Sequence, residues 1–466
     1  VRDVWRALDI PLRDVDRIAK LIPAEPGITL DRALKRSKAL CQAVTNNPQT
    51  KKLIELARAV EGLPRHVSTH AAGVVISRDP LTEHVPLQQG HDGHALTQYT
   101  MEALEDVGLL KMDFLGLKNL TLLEQAIRLI KEQEGISIDL AAIPLDDTRT
   151  YRMLAEADTA GVFQLESGGM RRVLREVKPS KFEDIVAVLA LFRPGPMEFI
   201  SDFVAAKHGR REVTYLHPVL EPILKETYGF ILYQEQIMQI ASKVAGFTLG
   251  EADILRRAVS KKKRELLQEQ RKKFVDGALK QGYDDKLANQ LYDMIVRFAD
   301  YGFNRSHSAA YAMIAYHMAY IKANHPVAFF AALLTMAQGN MDKVAEYVDE
   351  CKKRSIPVLG PDVNRSETDF TVEDGSIRFG LGAIKNVGVQ AIRRILEERA
   401  KRPFVDLADF CMRVDKRVCN RRVLEALIKS GAMDSFPGHR AALLAALDRV
   451  IEWAQRARRK EEEQIG

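Results

Sequence analysis

"LLKMDFLGLKNLT", residues 109–121, decides how the rest of the chain is read. An apolar run alternates into a carboxylate, Asp113, and a glycine and a helix-like stretch follow. Strand alternation places Lys111 and Asp113 on the same face. An Asp at a strand end beside a tight turn offers a short, rigid oxygen donor of the kind Mg²⁺ prefers. Phosphoryl transfer can use two divalent ions about 3.5–4 Å apart, held by carboxylates and substrate oxygens. A neighbouring Lys is then placed to meet phosphate. The same Asp could instead cap the following turn or helix. No DxD or ExD pair elsewhere supplies an obvious partner, and Asp362, Asp369 and Asp374 lie in loops far away in sequence.

Around this stretch, residues 66–118 are strand-like. "AAGVVIS" (71–77), "HALTQYT" (94–100) and "GLLKMDF" (108–114) are short runs separated by Gly, Pro and Asp, which predicts a small sheet of roughly three strands. His66, His70, His84, His91 and His94 fall in the same region. The HxxxH at 66–70 would converge on a metal only within a helix, and it leads into a strand, so no zinc site is expected. Residues 1–65 read as amphipathic helices ended by prolines and by Gly62. Their basic residues include Lys35, Lys51 and Lys52. A solvated helix face is the simplest account of those charges.

Helices dominate from about 119 to 350. "GVFQLESGGMRRVLREVKP" is a turn plus a basic helix, and "LFRPGPME" is a loop in which two prolines stiffen the backbone around Arg193. Nine Lys or Arg lie between Arg256 and Lys273, opposed by Glu265 and Glu269. They include Arg256, Arg257, Lys261, Lys262 and Lys263, and apolar residues recur among them at helical spacing. That pattern predicts one structured helix with a positive face suited to a phosphate chain. In "YGFNRSHSAAYA", Asn304, Arg305, Ser306, His307 and Ser308 precede a helix. They make an anion site from helix-start amides and side-chain donors, or a simple N-cap by Ser306 or Ser308.

Residues 370–385 read as a β-hairpin turning at Asp374-Gly375. The tail, 384–452, carries two units of helix end, Gly-containing hairpin and helix, around Gly388 and Gly431. Backbone N–H groups at such turns can hold duplex phosphates without reading bases.

The totals bound these readings. A chain of 466 residues is too long for one core, and roughly three or four domains are expected. Its 46% hydrophobic and 28% charged residues are ordinary for a globular protein. No run of apolar residues is long enough for a membrane span. Four scattered cysteines without a CxxC pair read as reduced thiols of a cytosolic protein. A formal charge of +6 permits nucleic-acid binding without demanding it. The fold class expected is mainly α with a small β-sheet.

"HAAGVVIS", "KMDFLGLKNLT", "GVFQLES", "FRPGPM", "YQEQIM", "FNRSHSAAYA" and "AYIKANHP" occur here in one order. In that order they resemble the family C replicative polymerases, the bacterial DNA polymerase III alpha subunits, over nearly the whole chain. The resemblance implies a polymerase-beta-like nucleotidyltransferase palm with a helical thumb inserted in it. Residues 1–65 then correspond to the thumb, 66–118 to the C-terminal part of the palm, 119–369 to the fingers, and 370–466 to the start of a C-terminal domain with tandem helix–hairpin–helix. The reaction implied is template-directed addition of deoxynucleotides (dNTPs) to a primer 3′ end with two Mg²⁺ ions. Asp113 takes the third metal-ligand position. Lys111, Arg193, Arg256 and Arg257 are expected to contact the triphosphate, with Asn304, Ser306 and His307 as further candidates. Lys35, Lys51, Lys52, Lys261, Lys262, Lys263, Gly388 and Gly431 are expected to face DNA.

In this family two earlier aspartates precede the thumb. The chain starts at the thumb, so it is expected to be inactive alone. Primer–template DNA and dNTP are the partners implied, with a sliding clamp and other replicase subunits bound through regions mostly outside it. The location implied is the bacterial cytoplasm, associated with the nucleoid, and no membrane is involved. An error-prone relative in damage tolerance and a non-catalytic DNA-binding scaffold are the rival readings.

Overall fold

A computed structural model describes every residue except Ile10, Pro26, Lys262, Lys263, Asp300 and Gly466. Helices hold 61% of the chain and strands 5%, so the fold is mainly α with small sheets. The chain divides into two compact units, Val1–Gly116 and Leu117–Gly466.

The first unit opens with five helices between Arg2 and Val60. Trp5, Val15, Ile18, Leu40, Leu53 and Ile54 bury their apolar faces together. Thr29, Ser37 and Asn47 cap three of these helices through side-chain oxygens, which explains why a short apolar periodicity suffices. Four strands follow: β1 (Gly73–Ile76), β2 (Leu87–Gln89), β3 (Ala95–Thr97) and β4 (Leu110–Asp113). They do not make the single three-stranded sheet expected. β1 pairs antiparallel with β4, and β2 pairs separately with β3. The β2–β3 pair closes locally, where Gly90 N–H donates to the His94 carbonyl at 2.8 Å and Gly93 takes φ +82. β4 instead pairs back to β1 past the β2–β3 pair, so two ladders of three or four residues form.

In the second unit the helix Arg305–Asn324 lies in the largest core. Ala312, Ala315 and Ala319 are fully buried on it, and small side chains let neighbouring helices approach closely. The helix Pro326–Met336 is buried at every position from Ala328 to Leu334, as an element apolar all round must be. Lys322 is buried with it. Its ammonium donates to the carbonyls of Asp158 (3.0 Å) and Ala160 (2.9 Å) and to Asp158 Oδ1 (3.4 Å). All three protons are thereby used, which is what makes a buried ammonium tolerable.

A second core gathers Ile237, Ile240, Val244, Leu255, Phe274 and Ile295. Of the basic stretch expected as one helix, the described residues form Leu249–Lys261 and Arg264–Lys280, and Lys262 and Lys263 between them lie outside the described residues. Leu255 and Phe274 are both fully buried, as the apolar periodicity predicts.

The C-terminal part holds a small sheet in which β5 (Val358–Leu359) runs parallel to β7 (Ser376–Arg378), itself antiparallel to β6 (Thr371–Glu373). The β6–β7 turn is Asp374-Gly375 with φ +49 and +76, the two positive values a two-residue hairpin turn requires. In the first of the two tail units the leading element is a 3₁₀ turn, Leu381–Ala383, rather than an α-helix end. The left-handed residue there is Asn386, and Gly388 has an ordinary φ of −83. In the second, Gly431 takes φ +87 after the helix Arg421–Lys429.

Gly277 marks a close approach of its helix to the end of the helix Gln234–Ala245. A Cβ there would lie 2.2 Å from the Ala245 carbonyl oxygen, a backbone atom that cannot swing aside. Gly277→Ala is therefore expected to destabilise the chain by about 1–3 kcal/mol. A lower urea midpoint with an unchanged m-value is the expected reading, and an unchanged midpoint would show that the helices slide apart freely.

Candidate functional site

Asp113 closes β4 opposite Gly73 in β1. Strand alternation puts Lys111 on the same face, and its ammonium donates to Asp113 Oδ1 at 2.9 Å. Asp113 is exposed while Lys111 is largely covered. The Lys111 hydrogen bond, and then the Lys111 charge, hold the Asp113 carboxyl below the usual carboxylate range, against a desolvation penalty. The capping alternative falls away. The next helix, Lys118–Glu134, has Leu117 at its N-cap and no side-chain cap bond.

Two residues that the sequence reading passed over complete this corner. His70 Nδ1 accepts from the backbone N–H groups of Ala72 (3.1 Å) and Gly73 (2.7 Å). An accepting Nδ1 leaves the proton of the neutral ring on Nε2. A Cβ on Gly73 would sit 2.7 Å from Lys111 Cε, 3.0 Å from His70 Nδ1 and 3.2 Å from Asp113 Oδ1. The three side chains thus converge on the space that this glycine leaves open. The "HAAG" spelling contains both residues, but only the strand register reveals what Gly73 faces. A cleft of about 740 Å³ opens here, lined by residues 67–75 with Lys111 and Phe114. An exposed, anionic carboxylate fits one ligand position of a hard divalent cation. Among the described residues no group of three or more His, Cys, Asp or Glu could hold a metal ion, so Asp113 does not build a site by itself.

In the second unit four predicted residues meet around Phe303. Phe303 N–H donates to the Leu232 carbonyl (2.9 Å), and Gln234 N–H donates to the Phe303 carbonyl (3.0 Å). Arg193 is pinned by bonds to the carbonyls of Ala190 (2.8 Å) and Tyr301 (2.7 Å), with its guanidinium 4.4 Å from the Phe303 ring centroid. Arg256 reaches Gln234 Oε1 at 3.4 Å and forms a two-pronged pair with Asp253 Oδ1. Asn304 caps the helix Arg305–Asn324 by accepting from His307 N–H at 2.8 Å. The capping role expected of Ser306 or Ser308 thus belongs to Asn304. Ser308 is buried and donates to the Val186 carbonyl at 2.7 Å, while Ser306 is exposed. The His307 ring stands edge-on between Phe303 (5.4 Å) and Tyr311 (4.6 Å), and Tyr311 stacks on Phe163 (5.3 Å). The result is a ladder of rings ending at a fixed cation.

The amides at this helix start are not all open to an anion. Arg305 N–H is taken by Glu235 Oε2 at 2.9 Å, and the Arg305 side chain pairs with Glu226. Arg257 shares Asp253 with Arg256, and hydrogen bonds from Arg256 above all hold that carboxyl low. Neither Glu226 nor Asp253 figured in the sequence reading: Glu226 lies 79 residues from Arg305, whereas Asp253 sits at the local i,i+3 and i,i+4 spacing from Arg256 and Arg257, a signal the sequence did carry.

The residues expected to face DNA are dispersed. Lys35, Lys51 and Lys52 are exposed on helices of the first unit. Lys262, Lys263 and the side chain of Lys261 lie outside the described residues. Gly388 and Gly431 sit at the turns of the tail units.

Three family models match the chain. Residues 1–116 match the one described as bacterial DNA polymerase III alpha NTPase domain, and 119–282 the bacterial DNA polymerase III alpha subunit finger domain. Residues 355–443 match a helix-hairpin-helix motif. The DNA polymerase III subunit alpha of Bacillus subtilis is 54% identical over 98% of this chain, and that of Thermus aquaticus 49% over 99%. The chain belongs to the bacterial DNA polymerase III alpha subunit family. It spans 41% and 38% of the length of those two alpha subunits. Among the described residues no helix is long and apolar enough to cross a membrane.

The Asp113–Lys111 pair carries a pH signature. Asp113 is expected to titrate below the usual carboxylate range, keeping its charge as pH falls until its own lowered midpoint is reached. Lys111→Met should raise that midpoint towards about 3.9, the unperturbed value. Carboxyl ¹³C NMR titration reads it, and an unmoved midpoint would mean the pair does not persist in solution.

Proposed function

We propose that this chain is part of the catalytic alpha subunit of a bacterial replicase, adding dNTPs to a primer 3′ end as a template directs. The observation that carries the reading is the convergence on Phe303. Four residues from three separated motifs, Arg193, Arg256, Asn304 and His307, meet beside a ladder of aromatic rings. Guanidinium groups suit a triphosphate, and ring faces suit a base. Arg193 is already rigid, held by two carbonyls and a ring, so little freedom is lost when phosphate arrives. Arg257, more exposed than Arg256, adds a second cation beside Asp253.

In this reading Asp113 contributes one ligand to a pair of Mg²⁺ ions, and further carboxylates come from polypeptide outside the described residues. When bound, the metal supplies Lewis-acid stabilisation of phosphoryl oxygens. Lys111 keeps Asp113 anionic and ready to bind, and its own charge faces the same cleft. Gly73 keeps that corner clear. Primer–template DNA is the partner. The exposed Lys35, Lys51 and Lys52 and the tail turns at Gly388 and Gly431 are proposed to touch its backbone.

In the complete protein, Asp113→Ala should reduce primer extension by at least about a hundredfold while leaving primer–template affinity nearly intact. Normal extension by that variant would remove Asp113 from the metal site. The 466-residue chain alone, given Mg²⁺, dNTPs and a primed template, is expected to show no extension, and robust extension would contradict the single-ligand reading.

A further inference from the structure

The basic helix after "GVFQLES" plays no part in the site above. It runs from Gly168 to Val177 and carries Arg171, Arg172 and Arg175, with Lys178 just beyond its end. Arg171, Arg175 and Lys178 are four and three residues apart, the spacing of one helix face, with neighbouring side chains about 5–6 Å apart. Arg172, Arg175 and Lys178 are exposed, and none of the four has an ion-pair partner among the described residues. Elsewhere on the surface Arg211, Arg257, Arg271 and Arg421 are each paired with an acid.

A second element brings more charge to the same place. The helix Ile200–Lys207 ends at Gly209, φ +71, and the N–H groups of Arg210 and Arg211 turn back to the Ala205 carbonyl. His208 Nε2 lies 3.0 Å from the Glu176 carbonyl. A carbonyl can only accept, so Nε2 carries the proton and locks the two helix ends together. Lys207 reinforces the joint by reaching Ser180 and the buried Asp184. Between the ends lies a groove of about 680 Å³ lined by Arg175, Lys178, His208 and Arg210, with Glu176 as its one acid.

Stabilising the helix dipole does not explain this set. Cations help at a helix C-terminus, which accounts for Arg175 and Lys178, but Arg171 and Arg172 lie in the other half, where the dipole disfavours them. Self-repulsion among unpaired cations is a cost that an anionic ligand would remove. The lining contains no Phe, Tyr or Trp, and the His208 ring is tied to the Glu176 carbonyl, so the groove offers charge rather than a stacking platform.

We infer that this groove binds the phosphodiester backbone of DNA, through Arg175, Lys178 and Arg210, at a place separate from the Phe303 cluster. The inference rests on the reading that the protein works on DNA, but not on Asp113 or on catalysis. Contact is to phosphate, so affinity is insensitive to sequence and falls with salt, by a slope of about 0.7 (single strand) to 0.9 (duplex) per contact.

The test uses the 466-residue chain and fluorescein-labelled DNA of arbitrary sequence, single-stranded and duplex, with anisotropy read from 50 to 300 mM NaCl. The triple variant Arg175→Ala/Lys178→Ala/Arg210→Ala should flatten the plot of log affinity against log salt by roughly 2–3, through loss of three phosphate contacts. Lys353→Ala, on a helix where that lysine pairs with Asp349 and Glu350, should leave the slope unchanged. Circular dichroism melting confirms that the triple variant is folded, and Arg175→Lys should recover most of the contribution of Arg175. An unaltered slope in the folded triple variant overturns the inference, as does a chain that binds neither DNA. Failure here leaves the primer-extension result for Asp113→Ala free to stand, and failure there leaves this slope to be read by itself.

Discussion

Two backbone hydrogen bonds at Phe303 organise the larger unit. Its N–H donates to Leu232 and its carbonyl accepts from Gln234, so the start of one helix is stitched to the approach of another about 70 residues later. The neighbouring anchors are also satisfied within the protein. Gln236 accepts the N–H groups of Leu232 and Tyr233 and donates to Thr227. Arg305 is held by Glu226 and its N–H by Glu235. With these groups paired, Arg193, Arg256, Asn304 and His307 have no other place to go. The cluster follows from the bridge, because each residue lies within a few positions of it or is bonded to a group that does.

Much of this was legible in the sequence. Alternation alone predicted that Lys111 and Asp113 share a face, and the 2.9 Å pair shows it. Asp374-Gly375 announced the hairpin because only a few residue pairs accept two positive φ values in a row. The mainly α fold class followed from periodicity, and the family from long motifs in fixed order.

What was not legible has a common physical cause. Alternation marks strands but not their partners, so two ladders were read as one sheet. Gly73 looked like an ordinary strand glycine until the register set it against Asp113. Glu226 looked like a surface acid until folding brought it to Arg305. In each case the missing information is a long-range pairing, which local pattern does not encode.

The residues gathered at Phe303 are proposed to receive the incoming nucleotide. The direct measurement is the equilibrium dissociation constant of a correct dNTP in the complete protein bound to primer–template, from the concentration dependence of single-nucleotide addition. Arg256→Ala should weaken nucleotide binding by about tenfold or more, the loss of one charge-assisted contact, with primer–template affinity unchanged. An unchanged dissociation constant for the nucleotide, in a variant that still binds primer–template normally, would contradict the claim.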